Sequence, residues 1–346
     1  MKKVLLGMSG GVDSSVSAVI LQKQGYEVIG LTMLLCEDEK STAIQDAKKV
    51  CEKLNIEHHV VDLKREFKKN VIDNFVCSYM CAKTPNPCVE CNKYMKFDEF
   101  YKIAQKLGCD YIATGHYARI EYSEKYKEYV LKKSNSEKKD QTYFLYGIDK
   151  KILPQVIFPL SDFEDKTEIR KIAEENNLLV ANKKDSQEIC FIPNNDYISF
   201  LKNHDYNIKN KKGKIVLRSG EIIGEHEGII NYTVGQRKGL GISYKEPLYV
   251  LELNNKTNQV IVGTEKELYS KELFTNELNF LIDIDLTKTI EIKAKVRYRA
   301  NEADSILEVR HGISKVTFKD PQRAITPGQS VVFYKDNIVL GGGKII

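Results

Sequence analysis

The sequence predicts an α/β protein: a doubly wound parallel-sheet domain, of the kind that binds nucleotides, followed by a small central β-rich domain and a C-terminal β-barrel. Short apolar runs alternate with helical patterns up to about residue 200, and a glycine-rich turn follows the first run. Short β-rich runs separated by turn residues fill the remainder. We therefore expect domains at 1–200, 201–268 and 269–346 in this chain of 346 residues.

Alternation of strand and helix patterns defines the first domain. The segment 42–54, for example, places Ile44, Ala47, Val50 and Cys51 on one helical face. Strands are expected at 4–7, 28–34, 58–61 and 111–114, and helices at 14–23, 42–54, 64–79 and 94–107. Helical patterns from Lys166 to Leu201 complete this domain.

The second half has a β pattern. Its short apolar runs lie close together and are separated by turn residues, which is typical of small sheets and barrels. The clearest strand candidates are 221–223, 248–253, 260–262, 290–296 and 331–334.

Composition excludes several classes of protein. Hydrophobic residues make up 42% and charged residues 29% of the chain. Disordered chains have a lower hydrophobic fraction and a higher net charge, so we expect a folded protein. The N-terminal apolar run, 4–8, is too short for a signal peptide, and no stretch approaches the roughly 20 apolar residues of a membrane span. We expect a soluble cytoplasmic protein with no membrane partner, whose eight cysteines serve catalysis or metal binding.

The net charge of +5 is concentrated in one segment. Residues 201–245 contain nine Lys and Arg against four Asp and Glu, whereas the flanking segments are balanced. Its basic residues include Lys209, Lys211, Lys212, Lys214, Arg218, Arg237 and Lys238. This pattern suits a polyanion, with a solvated loop as the alternative.

A phosphate-binding turn follows the first predicted strand. The sequence from Ser9 to Ser14 contains two glycines and leads directly into a helix, so backbone N–H groups and the helix N-terminus point at one site. No Gly-Lys-Ser/Thr ends the turn, which excludes a Walker A loop. Ser-Gly-Gly-x-Asp-Ser resembles the PP-loop ATP pyrophosphatases, a likeness that implies cleavage of ATP between the α and β phosphates.

Two cysteines, Cys88 and Cys91, stand at C-x-x-C spacing after Pro85 and Pro87 and before a predicted helix. A thiol at a helix N-terminus has a lowered pKa, which favours thiolate chemistry. Cys190 lies about a hundred residues downstream.

Three interpretations of these cysteines are open: a sulfur-handling active site, a structural zinc site and inert buried thiols. Zinc would require further ligands, which Cys77 and Cys81 could supply at helical spacing. Cys36, Cys51 and Cys109 lie on apolar faces and are expected in the core.

Together these motifs resemble the bacterial tRNA-specific 2-thiouridylases. The likeness spans nearly the whole chain and rests on 7–14, 84–92, 113–117, 140–142, 186–193, 232–241 and 296–299. It implies ATP-dependent 2-thiolation of the wobble uridine of tRNA, with tRNA and a sulfur donor such as a cysteine desulfurase as partners.

The resemblance also implies roles for individual residues. Cys91 is the expected nucleophile and Cys190 the expected persulfide carrier, with Asp13 organising Mg²⁺. The expected ATP contacts are Gly7, Met8, Ser9, Gly10, Gly11, Val12, Asp13, Ser14, Met33 and Gly115. The expected tRNA contacts are Asn86, Pro87, Cys88, His116, Asp140, Gln141, Thr142, Tyr298, Arg299 and Gln329. The charge of the basic segment adds Arg237 and Lys238 to them.

At one position the chain departs from this family. Many members have Asp where this sequence has Cys88, and the change leaves two mechanisms open. In one, Cys190 transfers a persulfide sulfur and Cys91 assists its release or closes a disulfide. In the other, Cys88, Cys91 and Cys190 hold a 4Fe-4S cluster that delivers sulfide.

Two rival functions explain fewer of these sequence features. A PP-loop ligase acting on a small metabolite explains the phosphate loop but not the cysteines or the basic segment. A metal-stabilised RNA-binding module without catalysis explains neither the loop nor its helix.

Overall fold

The computed structural model describes residues 1–36, 40–136, 138–181, 183, 189–192, 194, 196–203 and 211–346. Its strands are β1 Lys3–Gly7, β2 Glu27–Leu34, β3 Glu57–Asp62, β4 Tyr111–Ala113, β5 Arg119–Ser123, β6 Glu128–Lys132, β7 Val156–Ile157, β8 Gly213–Leu217, β9 Ile222–His226, β10 Tyr249–Asn254, β11 Gln259–Gly263, β12 Tyr269–Phe280, β13 Ile290–Lys295, β14 Ala303–Arg310, β15 Ile313–Arg323, β16 Ser330–Lys335 and β17 Ile338–Ile345.

The α-helices are α1 Val12–Lys23, α2 Thr42–Lys53, α3 Lys64–Phe67, α4 Asp73–Met80, α5 Pro87–Glu90, α6 Phe100–Lys106, α7 Lys166–Glu175 and α8 Tyr197–Asn203. Two π-helical stretches, Lys68–Ile72 and Cys91–Glu99, continue the α-helices on either side of them. None of the described helices is long and apolar enough to cross a membrane.

The first domain is built on a parallel five-stranded sheet in the order β3-β2-β1-β4-β7. Alternate residues of β1 enter the cores on opposite faces of the sheet, Leu5 on one and Val4 and Leu6 on the other. The strand order reverses between β1 and β4, so the loops that leave these strands open a crevice at the carboxyl edge of the sheet. The predicted doubly wound fold is confirmed.

The second half forms two β structures, as predicted. A four-stranded sheet, β10-β11-β8-β9, shares a hydrophobic core with α3 and α4. Strands β12, β15, β14, β13, β16 and β17 form a barrel, which closes where β12 pairs with β17.

Two features of the first domain differ from the sequence prediction. The hairpin β5–β6 was not predicted, and it extends the barrel sheet through β6 and β17, where Lys132 pairs with Ile338. The helix predicted at 94–107 already begins at Pro87, so the cysteine pair lies within its first turns rather than before it.

Candidate active site

The turn between β1 and α1 forms a cradle of backbone groups. Gly11 is the N-cap of α1 and makes no side-chain capping bond, which leaves N–H groups of the first turn directed at the crevice. Ser14 is buried; its hydroxyl donates to the Gly11 carbonyl oxygen over 3.1 Å and lies 3.2 Å from the Ser9 hydroxyl. These contacts fix the shape of the turn that is predicted to bind phosphate.

Two glycines make close backbone contacts around this cradle. Gly10 has φ +67°, and an added Cβ would lie 2.0 Å from the Ala43 carbonyl oxygen. Gly115 follows β4, and a Cβ there would lie 3.1 Å from the Ser14 nitrogen. The structure thus brings Gly115 against the phosphate loop, although the two are about a hundred residues apart. Met33, at the end of β2, reaches the same edge of the sheet.

Charged side chains surround the cradle. Asp13, in the first turn of α1, accepts hydrogen bonds at both oxygens: from the Tyr117 hydroxyl over 3.1 Å and from Lys166 Nζ over 2.8 Å. Lys183 donates to the Gly10 carbonyl oxygen and to Asp46 Oδ2, each over 2.9 Å. Two lysines that the sequence analysis did not single out therefore lie beside the expected phosphate site.

The cysteine pair lies on a continuous helical segment. Asn86 caps it by accepting a hydrogen bond from the Cys88 backbone N–H over 3.2 Å, and Pro87 occupies the first helical position. The helix changes from α to π geometry at Cys91. Such π stretches are frequent at functional sites, because they shift side chains out of the regular α-helical register.

The C-terminal barrel holds this segment in place. Gln329 Nε2 donates to the carbonyl oxygens of Thr84 and Pro85 over 2.9 and 3.2 Å. Lys344, on β17, forms an ion pair with the buried Glu90 over 3.2 Å. Gln329 is therefore engaged with the cysteine segment, and its predicted contact with tRNA stays a prediction.

Lys96 is the common neighbour of the reactive groups. Burial raises the pKa of the Cys91 thiol to about 12; the positive charge of Lys96 opposes this rise, and Cys190 and Cys88 add to it. Burial likewise raises the pKa of Cys88, again against Lys96. Among the described residues, Lys96 is thus the cation whose charge acts on all three thiols. They are mostly protonated at neutral pH, contrary to the expected lowering by a helix N-terminus.

Cys190 is held at the site by the residue that follows it. Phe191 packs edge-to-face on Phe67 and Phe75 at ring-centroid distances of 5.7 and 5.4 Å. The Cys190 side chain is exposed, and the Cys36 thiol donates to its carbonyl oxygen over 3.9 Å. The prediction that Cys36 belongs to the core is therefore wrong, because the chain beyond β2 carries it out to the 190 segment.

The other cysteines vary in burial. Cys51 is buried in the core as predicted, whereas Cys109 is only partly buried. Cys77 and Cys81 are exposed. Among the residues that the structure describes, no three Cys, His, Asp or Glu side chains are grouped so that they could hold a metal ion. The described residues therefore give no support to the structural zinc interpretation.

Several predicted tRNA contacts are buried. His116 lies between Thr114, whose Oγ1 is 2.7 Å from Nδ1, and Lys96, whose Nζ is 3.5 Å from Nε2. Burial lowers the pKa of His116 well below its ordinary value, and Lys96 acts in the same direction. This histidine is neutral at pH 7, and its side chain positions Lys96.

The segment 140–142 is also largely internal. Asp140 and Thr142 are buried, with Asp140 Oδ2 accepting from the Thr142 hydroxyl over 2.6 Å. Gln141 Oε1 accepts from the Tyr117 backbone N–H over 2.9 Å. Gln141 therefore supports the residue whose hydroxyl binds Asp13, which links this segment to the phosphate loop.

The other predicted tRNA contacts include exposed basic side chains and one half-buried aromatic side chain. Tyr298 is half-buried, with its ring 4.5 Å from that of Phe144, and the next residue, Arg299, is exposed. Arg237 and Lys238 are exposed on a turn, and no described residue forms an ion pair with either.

Part of the basic segment has acidic partners. Lys212 pairs with Glu227, Lys214 with Glu225 and Arg218 with Glu267. Lys209 lies outside the described residues.

Sequence reasoning assigned no site role to Lys96, Lys166, Lys183, Tyr117 or Cys36. Two of them had a local signal, because Tyr117 lies within the 113–117 motif and Lys183 stands three residues before the 186–193 motif. The others act through contacts between residues that are distant in the chain.

Three family models match the chain in succession. They are described as a tRNA methyl transferase HUP domain over residues 2–194, a tRNA methyl transferase PRC-barrel domain over 198–264 and an aminomethyltransferase beta-barrel domain over 270–345. Together they follow the order of the parallel sheet, the small β domain and the barrel.

Several proteins similar to this chain have the name tRNA-specific 2-thiouridylase. The tRNA-specific 2-thiouridylase MnmA of Clostridium beijerinckii is 48% identical over 99% of this chain and 98% of its own length. Those of Clostridioides difficile and Acetivibrio thermocellus are 45% and 48% identical, each over 99% of this chain and 98% and 99% of their own lengths. With the phosphate cradle and the thiols at one edge of the sheet, the chain belongs to the tRNA-specific 2-thiouridylase family.

Proposed function

We propose that this protein uses ATP to convert the wobble uridine of tRNA to 2-thiouridine, with release of AMP and pyrophosphate. The observation that carries the proposal is the position of two consecutive residues. Gly115 lies against the phosphate loop, while His116 contacts Lys96, the cation that all three thiols face. A base oxygen between these two regions would reach both the α phosphate of ATP and a sulfur nucleophile.

Adenylation is the first step. The C2 oxygen of uridine is a poor leaving group until it carries AMP. The backbone N–H groups of the phosphate loop and the N-terminus of α1 bind the phosphate chain. Lys166 and Lys183 add positive charge where pyrophosphate accumulates negative charge. The base oxygen attacks the α phosphorus, and pyrophosphate leaves.

Magnesium usually accompanies ATP and is bound through carboxylate and water oxygens. Asp13 accepts hydrogen bonds at both oxygens from Tyr117 and Lys166, so its carboxylate does not fit a direct magnesium ligand in this arrangement. We therefore assign Asp13 to holding Lys166. The expectation that Asp13 organises Mg²⁺ stays a prediction.

Sulfur transfer follows. The terminal sulfur of a Cys190 persulfide, loaded by a donor such as a cysteine desulfurase, attacks C2, and AMP leaves. The Cys91 thiolate then attacks the inner sulfur, which frees the thiocarbonyl and leaves a Cys91–Cys190 disulfide. Cys91 and Cys190 are oxidised to the disulfide, and the two electrons they lose reduce the transferred sulfur. Lys96 stabilises each thiolate as it forms.

The alternative is delivery of sulfide by a 4Fe-4S cluster on Cys88, Cys91 and Cys190. Among the described residues, no three such side chains are grouped closely enough to hold a single metal ion. We adopt the persulfide route, in which a donor loads the exposed Cys190 and the partly buried Cys91 completes the release.

The uridine must leave the anticodon stack to reach this crevice, at a cost of roughly a few kcal/mol. Exposed Arg237, Lys238 and Arg299 are placed to offset that cost through phosphate contacts. Tyr298, next to Arg299 in the sequence, offers an aromatic face.

Pyrophosphate release tests the proposal. It should depend on an anticodon stem-loop with a wobble uridine, and mass spectrometry should detect 2-thiouridine only with persulfide-loaded enzyme. Release that needs a small metabolite instead of RNA would refute the proposal in favour of a metabolite ligase.

A further inference from the structure

Cys36 lies just beyond β2 and is the thiol in contact with Cys190. Its Sγ donates to the Cys190 carbonyl oxygen over 3.9 Å, and both side chains are exposed. A hydrogen bond with the Cys36 thiol is the largest cause of the raised pKa of Cys190, ahead of burial. The Cys36 thiol thus lies against Cys190, and no step of the proposed reaction uses it.

Cys91 differs from Cys36 in its accessibility. Cys91 is partly buried and packs against the hydrophobic core that contains Met95 and Phe75. A disulfide between Cys91 and Cys190 would be shielded on the Cys91 side, whereas one between Cys36 and Cys190 would join two exposed residues. Access to the attacked sulfur controls the rate of disulfide reduction.

We propose that Cys36 is the resolving thiol of the active site. The proposal rests on the persulfide route, in which each turnover ends with a Cys91–Cys190 disulfide. The Cys36 thiolate attacks the Cys190 sulfur; the Cys36–Cys190 bond forms and the Cys91–Cys190 bond breaks. Cys91 leaves as a thiolate and takes up the proton that Cys36 released to water. A soluble dithiol reductant then reduces the exposed disulfide and is itself oxidised.

Disulfide mapping without tRNA tests the pairing directly. Reduced full-length protein is treated with diamide, trapped with N-ethylmaleimide, digested and analysed by mass spectrometry. We expect a Cys36–Cys190 peptide in the wild type and a Cys91–Cys190 peptide in Cys36→Ser. Cys77→Ser, which removes another exposed cysteine, should give the wild-type pattern. A wild type in which Cys36 is alkylated while Cys190 pairs with Cys91 would overturn the proposal.

Multiple turnover with a cysteine desulfurase and cysteine as the continuous sulfur source tests the role. With dithiothreitol as reductant, Cys36→Ser should be several-fold slower in later turnovers than in its first, whereas wild type and Cys77→Ser should show no such decline. Equal rates in first and later turnovers of Cys36→Ser would refute the resolving role. If the wild type forms a Cys36–Cys190 disulfide with diamide but no 2-thiouridine, the proposed function itself fails and the thiol pair stands.

Discussion

Lys166 donates a hydrogen bond from Nζ to Oδ2 of Asp13 over 2.8 Å, which joins the first residue of α7 to the first turn of α1. The side chains are 14% and 28% exposed, so the pair is only partly screened by solvent. The Tyr117 hydroxyl occupies the other oxygen of Asp13. Lys166 is therefore held beside the cradle before ATP binds.

Replacing Lys166 with Met should lower kcat/KM for ATP by roughly a hundredfold, since loss of one preorganised group that stabilises developing charge typically has this effect. The measurement is tRNA-dependent release of pyrophosphate. Lys171→Met is the matched control, because Lys171 is exposed on the same helix and pairs only loosely, at 3.9 Å, with Glu175. Similar losses in both variants would show that α7 matters for stability rather than for phosphate binding.

Local sequence was sufficient to predict the phosphate loop. Its strand, glycines and helix are consecutive, and Gly10 adopts the left-handed conformation, φ +67°, that glycine readily supplies in a tight turn. The parallel sheet followed from alternating patterns for the same reason, since each βαβ unit is local.

Contacts between distant segments were not predictable in this way. Cys36 and Cys190 are separated by 154 positions. The charged run 37–40 after Cys36 is a sign of exposure, but nothing in the sequence indicates that Cys36 meets Cys190. The position of Lys96 depends on the π-helical stretch after Cys91, which a regular helical period does not indicate. Hairpin β5–β6 is stabilised by a barrel strand formed about two hundred residues later.

Reversing Arg237 and Lys238 to Glu should weaken tRNA binding and reduce the slope of log affinity against log salt by about one per lost phosphate contact. Both side chains are exposed, whereas Lys212 and Lys214 already have acidic partners. Fluorescence anisotropy at several salt concentrations measures the slope. Reversal of Lys48 and Lys49, an exposed pair on α2, is the control. An unchanged slope in the Arg237 and Lys238 variant would mean that this turn does not contact RNA.

Replacing His116 with Gln should reduce the loss of stability at acid pH. The folded-state pKa of His116 lies well below 6.5, so below pH 6.5 the unfolded chain takes up a proton that the folded protein excludes. Its contribution to stability is therefore complete above pH 6.5 and is lost as pH falls towards the folded pKa, at up to about 1.4 kcal/mol per pH unit.

Urea unfolding at pH 7.5 and 5.5 measures the difference. The neighbouring Thr114 and Lys96 remain in the variant, so the change in pH dependence reports on the imidazole. His311→Asn, on an exposed turn, is the control variant. Identical pH dependence in wild type and His116→Gln would show that His116 titrates normally.

Replacing Cys88 with Asp should leave 2-thiouridine formation intact in iron-free, persulfide-loaded protein. Position 88 is in the first turn of a helix capped by Asn86, where a carboxylate is favoured by the helix dipole, and Lys96 faces it. Cys88→Ser should also retain substantial activity, whereas Cys91→Ser and Cys190→Ser should abolish it. Product is measured by mass spectrometry and iron by visible absorption of anaerobically purified protein. If the wild type is brown, and Cys88→Asp and Cys88→Ser lose the colour and the activity together, Cys88 is a cluster ligand and the persulfide route is wrong, since two thiolates hold such a cluster poorly.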